Sequence, residues 1–220
     1  KNTEPYAADV HIRGNSTIEK LIFRLEKHSP GFAKWLTEKN FTSYTKGNLD
    51  WDTTITMPKK AYDNNEEKFN GQFKFSSNLV GMKSTLPMPM KKSIPSEKEF
   101  SVDLKIEDGK LKVGFIDFFE NGDVPTVETA KYTTLHKGIL FRGSFHHLDI
   151  DAWMKFFKGD SSTNEDTGKI PLLFDIRTRA ANLFGHYFSD MRIKGQQNKE
   201  GWDIKVEGID ASGNITLPSL

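Results

Sequence analysis

The sequence predicts a mainly β protein: an antiparallel sheet with a few short capping helices. Three observations carry that prediction. Apolar and polar residues alternate over most of the 220 residues, hairpin signals separate the alternating runs, and few stretches carry a helical period.

In the first strand Tyr6, Ala8, Val10 and Ile12 share one face while Asp9, His11 and Arg13 occupy the other. Ser16, with Glu19 three residues on, has the form of a capping box ahead of Ile18, Leu21, Ile22 and Leu25, which predicts a helix over 16–25. A second short helix is expected over 32–36. Leu49, Trp51, Thr53, Ile55 and Met57 then alternate up to Pro58, and Phe69, Gly71, Phe73 and Phe75 form the next strand. In Leu86-Pro87-Met88-Pro89-Met90-Lys91-Lys92 two alternate prolines remove two backbone donors and hold the chain extended, which suits a sheet edge.

Phe100, Val102, Leu104 and Ile106 follow, and Asp108-Gly109 reads as a tight hairpin into Leu111, Val113 and Phe115. That hairpin makes neighbours of strands on which Phe73, Phe75, Val102, Leu104, Val113 and Phe115 hold alternate positions, so these six are expected on one face, as packed core or as an apolar groove. Asn121-Gly122 reads as a second hairpin, with further strands over 127–134, 138–145, 172–178, 183–188, 191–195, 202–208 and 214–217. A helix is expected over 149–157, its first turn acidic and Ala152, Trp153, Phe156 and Phe157 on one side, which predicts a buried, structural Trp153. The Ser-, Thr-, Asn- and Asp-rich stretch 159–168 is the one soft boundary; otherwise 1–220 reads as a single elongated section, and Lys1 in place of an initiator Met fits a piece of a longer protein.

The residues that could carry chemistry argue against an enzyme. Cysteine is absent, which removes disulfides, thiolate metal sites and thiol nucleophiles. Thirty-one basic against 30 acidic residues set up no field that would draw nucleic acid. Adjacent His146 and His147 on a strand point to opposite faces and cannot jointly ligate a metal, while Asp149 and Asp151 sit where a helix start favours carboxylates and nothing places a substrate beside them or Asp175. No serine lies in a nucleophile elbow and no glycine-rich loop opens a helix, so neither a catalytic residue nor a cofactor is expected. No apolar run approaches the roughly 20 residues a spanning helix needs. Lys91 and Lys92 are either edge lysines that block strand pairing or ammonium groups that meet lipid phosphates.

Three segments carry a family likeness: the strand Phe73 to Asn78 leading to Leu86-Pro87-Met88-Pro89 and Lys91; Gly138 to Gly143 followed by Leu148 to Trp153; and Gly201-Trp202-Asp203-Ile204 with Gly213-Asn214-Ile215-Thr216-Leu217-Pro218. Together they resemble YhdP-type sequences of the AsmA-like family of bridge-like lipid-transfer proteins. The resemblance implies a long, bent antiparallel sheet of the repeating β-groove or taco-like kind with an apolar concave face, anchored in the inner membrane of Gram-negative bacteria by a segment outside this chain and extending through the periplasm. It implies phospholipid as the ligand, carried between the inner and outer membranes without covalent chemistry, and envelope proteins as partners. The alternative is a structural or protein-interaction β module of the envelope, with its apolar faces closed as a sandwich core. Lipid transfer has a plain physical rationale: two acyl chains of about 16 carbons each represent on the order of 25 kcal/mol of apolar surface, at about 0.8 kcal/mol per methylene. A continuous apolar surface removes most of that barrier.

Overall fold

The computed structural model describes residues 6–28, 37, 40–58, 70–120, 137–157, 171–198 and 200–218. In chain order the elements are β1 (Tyr6–Thr17), α1 (Ile18–His28), α2 (Phe41–Tyr44), β2 (Thr45–Pro58), β3 (Gly71–Ser77), β4 (Met82–Ser84), β5 (Lys98–Glu107) and β6 (Lys110–Glu120). They continue with β7 (Gly138–Asp149), α3 (Ile150–Phe157), β8 (Leu172–Leu183), β9 (His186–Gln197), β10 (Gly201–Glu207) and β11 (Ser212–Pro218). All eleven strands belong to one open sheet, ordered β1-β2-β3-β5-β6-β7-β8-β9-β10-β11, with short β4 pairing the start of β2.

The sheet is mixed rather than wholly antiparallel. β7 runs parallel to both β6 and β8, and the other pairs are antiparallel. Period-two alternation identifies a strand but carries no direction, which is why the sequence misses this. Parallel strands are usually covered on both sides, and here the centre follows that rule: Leu140, 1% exposed, and Asp175, 5% exposed, point away from the helices. Both edges of β6 are taken by β5 and β7. Asn121-Gly122, the strand expected over 127–134, the helix expected over 32–36, Phe69 and the boundary at 159–168 lie outside the described residues.

The Asp108-Gly109 hairpin forms as expected, with φ of 54° and 69° in the left-handed region that a two-residue turn of this kind requires. Its register then slips. Ile106 pairs with Leu111, but Lys105 pairs with Val113 and Leu104 with Gly114, so Lys112 is an extra residue in β6. A one-residue slip transfers every later side chain to the other face. Val113 and Phe115 therefore leave the face of Phe73, Phe75, Val102 and Leu104.

The Ser16 capping box does not form. Ser16 pairs with Leu49 in the β1–β2 ladder, and α1 starts two residues later, where the Thr17 hydroxyl accepts from the Lys20 N–H at 3.3 Å. α3 starts as expected, with Asp149 Oδ1 accepting from the Ala152 N–H at 2.9 Å. The expected strand over 183–188 instead straddles the β8–β9 turn at Phe184-Gly185. The proline segment is not an edge strand either. Pro87 and Met90 close a turn at 2.9 Å, and Leu86, 2% exposed, plugs it into the core.

That loop, α1 and α3 gather at one end of the sheet. One buried cluster there comprises Leu49, Leu79, Met82, Phe118 and Phe145, with Ile18, Leu21 and Met90 packed against it. A second comprises Leu148, Ala181, Met191 and Ile193, with Ile150 and Trp153 against it. Trp153 is half-buried rather than buried, and its indole N–H donates to the Met88 carbonyl at 2.8 Å, so α3 and the proline loop are pinned together.

Candidate functional site

Register decides which side chains share a surface, because directly paired residues lie on the same face of a sheet. Pairing carries one row from Val10 through Ile55, Phe73, Leu104 and Gly114 to Ile139 and Leu172. The next row runs Ile12, Thr53, Phe75, Val102, Ile116, Phe141, Phe174, Gly195, Ile204 and Ile215, crossing ten strands from one edge of the sheet to the other. At about 4.8 Å per strand this row is about 43 Å long. Every member is apolar except Thr53.

Glycines level this floor. A Cβ on Gly114 would lie 2.9 Å from Leu104 Cδ2, and one on Gly195 would lie 2.1 Å from the Phe174 ring. Neighbouring side chains thus lie flat over the backbone in place of a missing one.

Burial divides the apolar face along the strands. At the helical end it is covered by the two core clusters. Ile55, Phe73, Leu104, Ile116 and Ile139, toward the other end, belong to neither cluster, and Val10, Ile12, Leu172 and Ile215 are 39%, 42%, 40% and 39% exposed. The result is an apolar surface running across the strands with a wall of helices and loop along one side.

The opposite face carries a series of ion pairs. Arg13 meets Asp52 at 2.7 Å, Arg142 grips Asp117 through two bonds of 2.6 Å, and Arg192 grips Asp175 at 2.8 and 2.7 Å. Val113 and Phe115 sit on this side, beside Leu140 and Leu173 in register, and the Arg142 guanidinium lies 5.1 Å from the Phe115 ring centre. Concavities of about 880 and 310 Å³ lie along this face, with Asp50, Asp52, Glu97 and Glu99 prominent in the larger, and a third of about 530 Å³ is lined by Leu140, Leu173, Phe174, Ile204 and Ile215 together with Lys194, Asp203 and Lys205.

Of the eight residues singled out from sequence, Phe73, Phe75, Val102 and Leu104 come together on the apolar floor, while Val113 and Phe115 do not join them. Lys91 is exposed. Lys92 is 6% exposed, and its ammonium donates to the carbonyls of Leu79, Met82 and Ser93, so it holds the proline loop closed instead of facing a headgroup. Burial, with Lys98 nearby, lowers its pKa below the ordinary lysine value. Asp149 caps α3, Asp151 holds the β8–β9 turn, and Asp175 is bound to Arg192. Among the described residues no group of His, Asp or Glu is arranged to hold a metal ion. Sequence reasoning missed Ile116, Phe141, Phe174, Ile204 and Ile215; their alternation was visible, but their alignment rests on the bulge and on the parallel pairs.

The family model for the YhdP protein matches residues 2–219. The chain belongs to the YhdP family. The match spans the whole described sheet, so the apolar rows and the ion-paired face both lie within the YhdP-family region. Neither the curated proteins nor the solved structures gave a significant match. No helix among the described residues is long and apolar enough to cross a membrane.

Proposed function

We propose that this chain binds phospholipid through its acyl chains along the apolar rows, and that as one section of a longer envelope protein it passes lipid between the inner and outer membranes of a Gram-negative cell. Membership of the YhdP family supports placement in the envelope. The observation that carries the ligand is the row from Ile12 to Ile215, apolar at every strand but Thr53 of β2, bordered on the side away from the helices by Ile55, Phe73, Leu104 and Ile139, which belong to neither core cluster. An acyl chain lying across the strands keeps apolar contact at each step, which lowers the cost of moving methylenes through water. Movement along such a floor requires no bond to be made or broken, so the role is non-enzymatic.

A charge at Leu104 tests this reading. Leu104 lies half-buried at the open end of the floor, outside both clusters. Leu104→Asp keeps its carboxylate hydrated in the empty protein, so the thermal midpoint is expected to fall by only a few degrees, while binding of a fluorescent phospholipid drops at least tenfold. Collapse of the fold would identify this position as closed core and favour the envelope interaction module. Unchanged binding in a folded variant would remove the floor from the lipid path.

A further inference from the structure

Phe184, Tyr187 and Ile209 are 74%, 72% and 75% exposed, more than any other large apolar side chain among the described residues. All three lie at the helical end of the sheet, on two adjacent hairpin ends. Phe184 is in the β8–β9 turn, Tyr187 at the start of β9 and Ile209 in the β10–β11 turn, and the Ser189 N–H donating to Asp210 at 2.6 Å joins the two hairpins. The β8–β9 hairpin is the more prominent: its ladder continues to Leu183↔His186, whereas β10 stops pairing with β9 at Glu207↔Arg192.

The turn is built to hold a residue it does not suit. Phe184 has a φ of 52°, a left-handed conformation that Asn or Gly adopts readily and a bulky side chain rarely does. Both turn amides are clamped by Asp151 of α3, which accepts from Phe184 at 2.7 Å and from Gly185 at 2.8 Å. These two bonds, Gly185 first, hold the Asp151 carboxyl below its usual range, so the clamp is charged and closed at neutral pH. A strained aromatic fixed in an exposed position points to function rather than to folding.

We propose that this end of the sheet is a membrane-contact tip, at which Phe184, Tyr187 and Ile209 enter the interfacial layer of a phospholipid bilayer. Area selects the partner. Three side chains of this size present on the order of 400 Å² at these exposures, half of the roughly 800 Å² per partner of a stable protein interface. A bilayer accepts a small apolar tip without a complementary surface, and a rigid turn enters it with little ordering cost.

The test is flotation of the purified chain with vesicles of phosphatidylethanolamine and phosphatidylglycerol. Phe184→Asn combined with Tyr187→Ser and Ile209→Ser is expected to lower the vesicle-bound fraction at least tenfold. Its thermal midpoint should stay level or rise, because Asn suits the turn. Native mass spectrometry of the same variant should show bound phospholipid unchanged, which separates failure of the tip from failure of the apolar floor. Equal flotation of variant and parent, absence of flotation by the parent, or loss of a dimer by the variant in sedimentation velocity would overturn the proposal.

Discussion

Lys98 shows how a single residue ties this structure together. Its side chain and that of Glu120 are each 8% exposed and are ion-paired, with Lys98 also donating to the Pro89 carbonyl and Glu120 accepting the His146 N–H at 2.8 Å. The pair therefore joins β5, β6, β7 and the proline loop. Removing one member leaves a buried, uncompensated charge, so Lys98→Met should cost about 3 to 5 kcal/mol in urea unfolding. The double variant Lys98→Met, Glu120→Gln should recover at least half of that loss; an additive double variant would mean the pair is not coupled. None of this was legible from the sequence, where Lys98 is one of a run of charges. Lys92 is a related case. Sequence shows a lysine after a proline segment, but only the fold reveals the three carbonyls that take its ammonium away from solvent.

At the scale of elements, local chemistry was legible and pairing was not. The Asp108-Gly109 turn and the Asp149 cap were readable because each depends on a few adjacent residues. The extra Lys112 was not, because nothing in Leu111-Lys112-Val113 distinguishes a bulge from regular alternation, and it moved Val113 and Phe115 off the expected face. Ser16 failed as a cap because its place in the β1–β2 ladder, opposite Leu49, prevailed over a local side-chain bond. The proline loop is held by α3 through Trp153, whose indole N–H meets the Met88 carbonyl while the Asp149 N–H meets the same oxygen at 3.2 Å. Trp153→Phe keeps most of the packing and removes one donor, so it should lower stability by about 1 kcal/mol. A urea midpoint identical to that of the parent would show that the indole bond does not hold the loop.

Across the whole molecule the two faces divide the work. One carries paired charges, Arg13 with Asp52, Arg142 with Asp117 and Arg192 with Asp175, and the other carries apolar rows with helices over one end only. Alternation along each strand made this two-faced character legible from sequence. The length of the row across ten strands was not, because it depends on which strands are neighbours and on β7 lying parallel to both of its partners. The measurement that tests the account most directly is photocrosslinking to phospholipid from a benzophenone amino acid placed at Leu104, on the apolar floor, or at Ser101, on the charged face. Lipid adducts at position 104 and none at 101 are predicted. Adducts at 101 equal to or exceeding those at 104 would contradict the account.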